Sequence, residues 1–133
     1  MDELLKVLLA DGRVAAAIVF GSAARGSLRG DSDFDVAVLT TDADARAQLG
    51  HELLETLGIL GQAVRRDVHL VDLEDADPTL RRTVFATGRR LFDRSGGRLR
   101  DLETRTLLEY LDGEHHRRLI DAGQRRRLER ALG

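Results

Sequence analysis

Residues 18–39 read "IVFGSAARGSLRGDSDFDVAVL": an apolar run enters a Gly-Ser turn, and ten residues after Ser22 two aspartates open a second apolar run. Alternate residues of a strand share one face, so Asp33, Asp35, Ala37 and Leu39 fall on one side and Phe34, Val36 and Val38 on the other. Two like charges on one face of an apolar strand repel. Their backbones lie roughly 6.6 Å apart, close enough for the side chains to converge on a cation. Hard divalent ions such as magnesium take oxygen ligands of this kind and keep waters that a phosphate can replace. At the other end Gly21 permits close backbone approach, Ser22 offers a hydroxyl, and the amides of "GSAARG" can receive phosphate oxygens. Arg25 and Arg29 add positive charge, and Ser32 a hydroxyl beside the acids.

Outward from this stretch, strands and helices alternate. Residues 2–10 read as a short helix stopped by Asp11-Gly12, 14–20 as a buried strand and 33–40 as the second strand. Leu49, Leu53 and Leu57 recur every fourth residue, which predicts one helix over 42–58 with Gly58 as its stop. Residues 66–73 read as a third strand, Pro78 suits the first turn of a helix running to Gly88, and "RRLF" reads as a short edge strand. Residues 99–131 are helix-prone but interrupted by Gly113 and Gly123, giving two helices or one kinked helix. The expected fold is α/β: a small mixed sheet flanked by helices, with a nucleus over 1–93 and a C-terminal helical extension over 94–133, in one domain. The loop between the first two strands is too short for a helical crossover, so they lie antiparallel or splayed.

With 42% hydrophobic and 33% charged residues in 133, the chain belongs to the folded globular class. No apolar run reaches bilayer-spanning length, and the acidic start "MDELLKVLLADG" lacks the pattern of a signal peptide, so no membrane association is expected. The absence of cysteine excludes disulfides and thiolate metal sites and agrees with a cytoplasmic setting. Residues 1–93 carry 11 basic and 16 acidic side chains, whereas 94–133 carry 10 and 7, so the extension is the basic end. Lys6 is the only lysine, and no Gly-Lys-Ser/Thr is present, so the Gly-Ser turn is not the P-loop of NTPases. His51 reads as a surface residue, and the adjacent His115 and His116 point apart on a helix and make a poor chelating pair. The arginines at 125–127 read as a solvated face; with 4% aromatic residues, direct nucleic-acid binding is not expected.

The Gly21-Ser22 turn, the ten-residue spacing and Asp33-Phe34-Asp35 together resemble the DNA polymerase β-like nucleotidyltransferase superfamily. Residues 68–94 are similar to the family's third strand, Pro-containing helix and terminal strand, and "LLEYLD" at 107–112 to a Tyr-x-Asp segment in its last helix. Size and arrangement look like the minimal nucleotidyltransferase branch, the MntA-type antitoxins encoded beside HEPN toxins. The resemblance implies that Gly21 and Ser22, with Arg25 and Ser32, bind the triphosphate of ATP, and that Asp33 and Asp35 bind magnesium, in a site with room for two metal ions. It implies transfer of AMP to a tyrosine hydroxyl of a cognate HEPN ribonuclease toxin, with pyrophosphate released.

One position departs from the pattern. The family often reads Val-Asp-Leu-Val-Asp-Leu, with the first aspartate a third metal-binding acid. This chain reads Val68-His69-Leu70-Val71-Asp72-Leu73. Asp67, on the same strand face as His69, is one candidate third acid and metal ligand; His69 as a base is another, a site with two carboxylates alone or an inactive one is the third, and Asp72 faces away. Two further classes stand beside the enzyme: an antitoxin that neutralises by binding alone, and a nucleotidyltransferase acting on a small molecule or tRNA. For the latter, 133 residues leave little room for a second substrate domain. In the extension, Leu107, Tyr110, Leu111 and Leu128 either cover the core or dock on the partner.

Overall fold

All seven residues of Val14–Phe20 (β1) are buried, because this strand is covered by helices on both faces. The computed structural model describes residues 2–26 and 33–113. β1 follows helix α1 (Asp2–Ala10) and is succeeded by β2 (Phe34–Thr40), α2 (Ala43–His51), α3 (Leu53–Val64), β3 (Val68–Asp72), α4 (Pro78–Thr87) and β4 (Arg89–Asp93). A further helix, α5, covers 98–113. The four strands form one mixed sheet in the order β3-β2-β1-β4. β1 runs antiparallel to β2 and β4, and β2 runs parallel to β3. Of the two arrangements open for the first strands, the antiparallel one is adopted, and "RRLF" lies in an edge strand.

The alternation read in β2 is the one observed. Phe34, Val36 and Val38 pack with Leu4 and Leu8 of α1, Leu49 of α2 and Leu60 of α3, while Ala37 and Leu39 pack with Leu73, Val84 of α4 and Leu99 and Leu102 of α5. In β1 a bulge between Val14 and Ala16 sets two steps against one of β2. The extra residue turns Val14 toward the first cluster and Ala16 toward the second.

The single helix expected over 42–58 is two helices, broken at Glu52, and the second passes through Gly58 to Val64. The cause lies in Arg13, whose guanidinium donates to Glu52 Oε2 (2.9 Å) and Thr56 Oγ1 (3.2 Å) while also holding Asp11 (2.7 Å). Anchored there, the chain turns at Glu52, and the buried face shifts to Thr56 and Leu60, leaving Leu53 exposed. α3 stops at Arg65, which takes the left-handed conformation (φ 56°), and the Arg66 amide donates back to Gly61 O. α4 begins as its sequence predicts: Pro78 sits in the first turn, and the Asp77 carboxylate caps the Leu80 amide at 2.9 Å.

α5 is pinned at both ends, to the core beneath the sheet at one and to α4 at the other. Leu99 and Leu102 complete the second core cluster. Farther along, the buried Arg81 of α4 reaches Glu109 at 2.9 Å, and the Arg82 guanidinium lies 4.0 Å from the Tyr110 ring centroid. Gly123, His115, His116, the arginines at 125–127 and Leu128 lie outside the described residues.

Candidate active site at the Gly-Ser turn

β1 ends at Phe20, and Gly21 turns the chain with φ 67°, in the left-handed region that favours glycine. Space demands glycine as well: a Cβ at position 21 would collide with Oδ2 of Asp35. The next residues form one helical turn, closed by the Arg25 amide on Gly21 O (3.4 Å) and the Gly26 amide on Ala23 O (3.3 Å). The amides of Ser22, Ala23 and Ala24 donate to no carbonyl within this turn, as at the start of any helix. Ser22 is half-buried and Arg25 exposed. Ser32 and Arg29 lie outside the described residues.

Antiparallel pairing sets Asp35 opposite Phe20, and parallel pairing sets it opposite His69. One row of the sheet therefore carries His69, Asp35 and the residue that enters the Gly-Ser turn. His69 Nδ1 lies 3.2 Å from Asp35 Oδ1. The Asp35 carboxylate is thus held from both sides, Oδ1 toward the imidazole and Oδ2 against Gly21. A carboxylate oxygen only accepts, so the contact is a hydrogen bond when Nδ1 carries the ring proton, which leaves the lone pair on Nε2. Side-chain exposures of 25% for Asp35 and 59% for His69 leave both within reach of a substrate.

Asp33 is exposed, immediately before β2. The Phe34 amide donates to Asp67 O at 2.8 Å, and with Phe34 paired to Val68, one further step of the register sets Asp33 beside Asp67. The four sequence candidates therefore fall into two cross-strand pairs, Asp33 with Asp67 and Asp35 with His69. Among the described residues no three histidine, aspartate or glutamate side chains gather closely enough to hold a metal ion. The donor set nonetheless suits magnesium, since Asp33 and Asp35 bring carboxylate oxygens to the entrance of one strand.

Asp72 is committed elsewhere. Its carboxylate accepts from Arg46 Nε at 2.7 Å and from the Glu74 amide at 3.0 Å. The Arg46 guanidinium, shared with Asp75, titrates above its ordinary range because these carboxylates surround it. His51 is exposed on α2, as read from the sequence.

Two arginines at this end of the sheet went unremarked in the sequence. The β1–β4 register sets Arg89 beside Val19 and Arg90 beside Ile18, and Arg90 pairs with Glu103 at 2.8 Å. Their signal was the Gly88-Arg89-Arg90 run after the Pro78 helix, where Gly88 is required because a Cβ there would strike Val84 O and Ile18. Which strand this run joins is not written locally.

The model of the family described as polymerase beta, nucleotidyltransferase, matches residues 2–96, a span that includes the turn, both cross-strand pairs and all four strands. The chain belongs to this nucleotidyltransferase family. Solved structures agree with it. A crystal structure of a toxin–antitoxin with AMP-PNP contains a chain 26% identical, covering 91% of this chain and 94% of that one at a TM-score of 0.67. A rebuilt and re-refined structure of a tri-AMPylated Shewanella oneidensis HEPN toxin in complex with an MNT antitoxin matches at 26% identity, over 90% of this chain and 93% of that one, with a TM-score of 0.60. A toxin–antitoxin MntA–HepT crystal structure matches at 25% identity, over 91% and 90% of the two chains, with a TM-score of 0.58. No curated protein sequence matches. The mixed four-stranded sheet with its flanking helices is thus a nucleotidyltransferase fold. No helix among the described residues is long and apolar enough to cross a membrane.

Proposed function

We propose that this nucleotidyltransferase is an antitoxin that transfers AMP from ATP to a tyrosine hydroxyl of a cognate HEPN toxin in the cytoplasm. The observation that carries this reading is the row in which Gly21 makes space for the Asp35 carboxylate directly beside His69. The similarity to a chain solved with AMP-PNP and to a complex holding an AMPylated toxin supports the choice of nucleotide and acceptor.

In this scheme the Gly21–Gly26 turn receives the β- and γ-phosphates through the amides of Ser22 to Ala24, the Ser22 hydroxyl and Arg25, with Ser32 at the far end of the loop. Asp33 and Asp35 would hold magnesium, with Asp67 as the candidate third ligand, and the ion would supply charge neutralisation at the phosphates. The acceptor oxygen attacks the α-phosphorus, forming one P–O bond as the bond to the β-phosphate bridge breaks. The hydroxyl proton passes to Asp67 or to His69 Nε2, and pyrophosphate leaves. An added phosphate ester on the toxin then repels the phosphates of its RNA substrate. The extension beyond residue 94 packs on the nucleus through Leu99 and Leu102, and its exposed Leu107, Leu108 and Leu111 are the surface offered to the toxin.

Labelled ATP with magnesium and the toxin encoded beside this protein tests the reading. Label transferred to the toxin by the wild type, and lost in Asp33→Ala plus Asp35→Ala, is the expected outcome; equal absence of label in both rejects it. Neutralisation by binding alone is favoured by one observation, an imidazole rather than an acid facing Asp35. It requires that the double variant still protect cells.

A further inference from the structure

We propose that His69 is a positioning residue that claims one oxygen of Asp35 and so limits the carboxylate centre to a single divalent ion. The inference rests on the nucleotidyltransferase reading above.

The parallel register makes His69 the direct neighbour of Asp35, so their contact is built into the sheet. At 3.2 Å, Nδ1 occupies Oδ1, while Oδ2 lies against Gly21. A carboxylate bridges two cations by giving an oxygen to each. With one side of Oδ1 taken by the imidazole, Oδ2 is the oxygen that Asp35 offers to a metal without competition. Two ions about 4 Å apart bring four positive charges and need several anionic oxygens between them. Here one acid of β2 is half engaged, and the imidazole beside it is a poor ligand for magnesium, which takes oxygen. Asp33 is exposed and makes no hydrogen bond or ion pair among the described residues. Asp67 stands beside Asp33 rather than beside Asp35 in the register, and does not restore the missing donor where Asp35 needs it. The centre is therefore built for one ion, carried by Asp33 and Oδ2 of Asp35, with the geometry of Asp35 maintained by His69.

Counting bound manganese by electron paramagnetic resonance, on the full chain with excess non-hydrolysable ATP analogue, tests this without catalysis. The expected count is one Mn2+ per nucleotide complex in the wild type and two in His69→Asp, where a carboxylate replaces the donor. His69→Ala lowers affinity for the single ion on the order of tenfold, since the outer partner of a metal ligand sets its orientation. His69→Asn, whose side-chain amide can still donate to Oδ1, restores it. His69 is exposed on an edge strand, and circular dichroism of each variant verifies that the fold is retained. Two manganese ions in the wild type, or an unchanged count in His69→Asp, overturns the inference. If the second wild-type ion vanishes in Asp67→Asn, Asp67 is the third ligand. Nucleotide binding without manganese overturns it as well. A wild type that binds neither nucleotide nor manganese overturns the parent reading with it.

Discussion

At Gly21 two demands meet in one residue: a left-handed backbone at φ 67° and an empty space that the Asp35 carboxylate fills. Alanine at this position costs roughly 1–2 kcal/mol for its conformation alone, and it also displaces Asp35. Gly21→Ala is therefore expected to lower thermal stability modestly and to weaken binding of an ATP analogue far more than that loss explains. Calorimetric titration alongside a thermal melt checks this, and unchanged affinity would show that the cradle does not serve the nucleotide. The need for glycine here was legible in the sequence, because a strand running into Gly-Ser is a local pattern. That His69 rather than Asp67 touches Asp35 was not. The two lie on the same strand face, and only the pairing partner distinguishes them.

Among the elements, the corner from α1 to β1 governs more than its length suggests. Arg13 ties Asp11, Glu52 and Thr56 together, and its side chain is only 17% exposed. Its hydrogen bond holds the Asp11 carboxyl below the ordinary value of 3.8 against the opposing effect of burial. A carboxyl lowered on folding adds stability that is complete above its unfolded value and disappears as pH falls through the lowered one. Asp11→Asn is thus expected to cost about 1.5–3 kcal/mol at pH 7, the range of a charge-assisted bond. The difference from wild type should shrink below pH 4, approximately where the unfolded carboxyl begins to protonate. Urea titrations of both proteins at neutral and acid pH read it directly, and a gap of equal size at both would refute the assignment. The same clamp explains why the leucine repeat misled. Leu49, Leu53 and Leu57 satisfy a helical period, but the turn at Glu52 is imposed by a side chain 39 residues earlier. No pattern within 42–58 encodes it.

On the scale of the whole molecule, the family match ends at residue 96, yet the second core cluster does not close without α5. Leu99 and Leu102 are 0% and 4% exposed, packed among Ile18, Leu39, Leu73 and Val84. Burial of two leucines is worth about 3–6 kcal/mol, a large share of the roughly 5–15 kcal/mol that keeps a domain folded. A chain ending at residue 97 also strips Glu109 from the buried Arg81. It is expected to lose its cooperative thermal transition, as followed by circular dichroism; a melt matching the full chain would show that α5 is dispensable for folding. The amino-acid order alone determined the strand faces of β2, the glycine turn, the start of α4 and the presence of paired acids at a strand entrance, since each depends on residues within a turn or two of one another. Only the closed sheet decided which side chain faces Asp35, where the helix predicted over 42–58 breaks and which strand Arg89 and Arg90 pair with. Those depend on strand register and on contacts between distant segments, and a slip of a single residue would move every side chain of a strand to its opposite face.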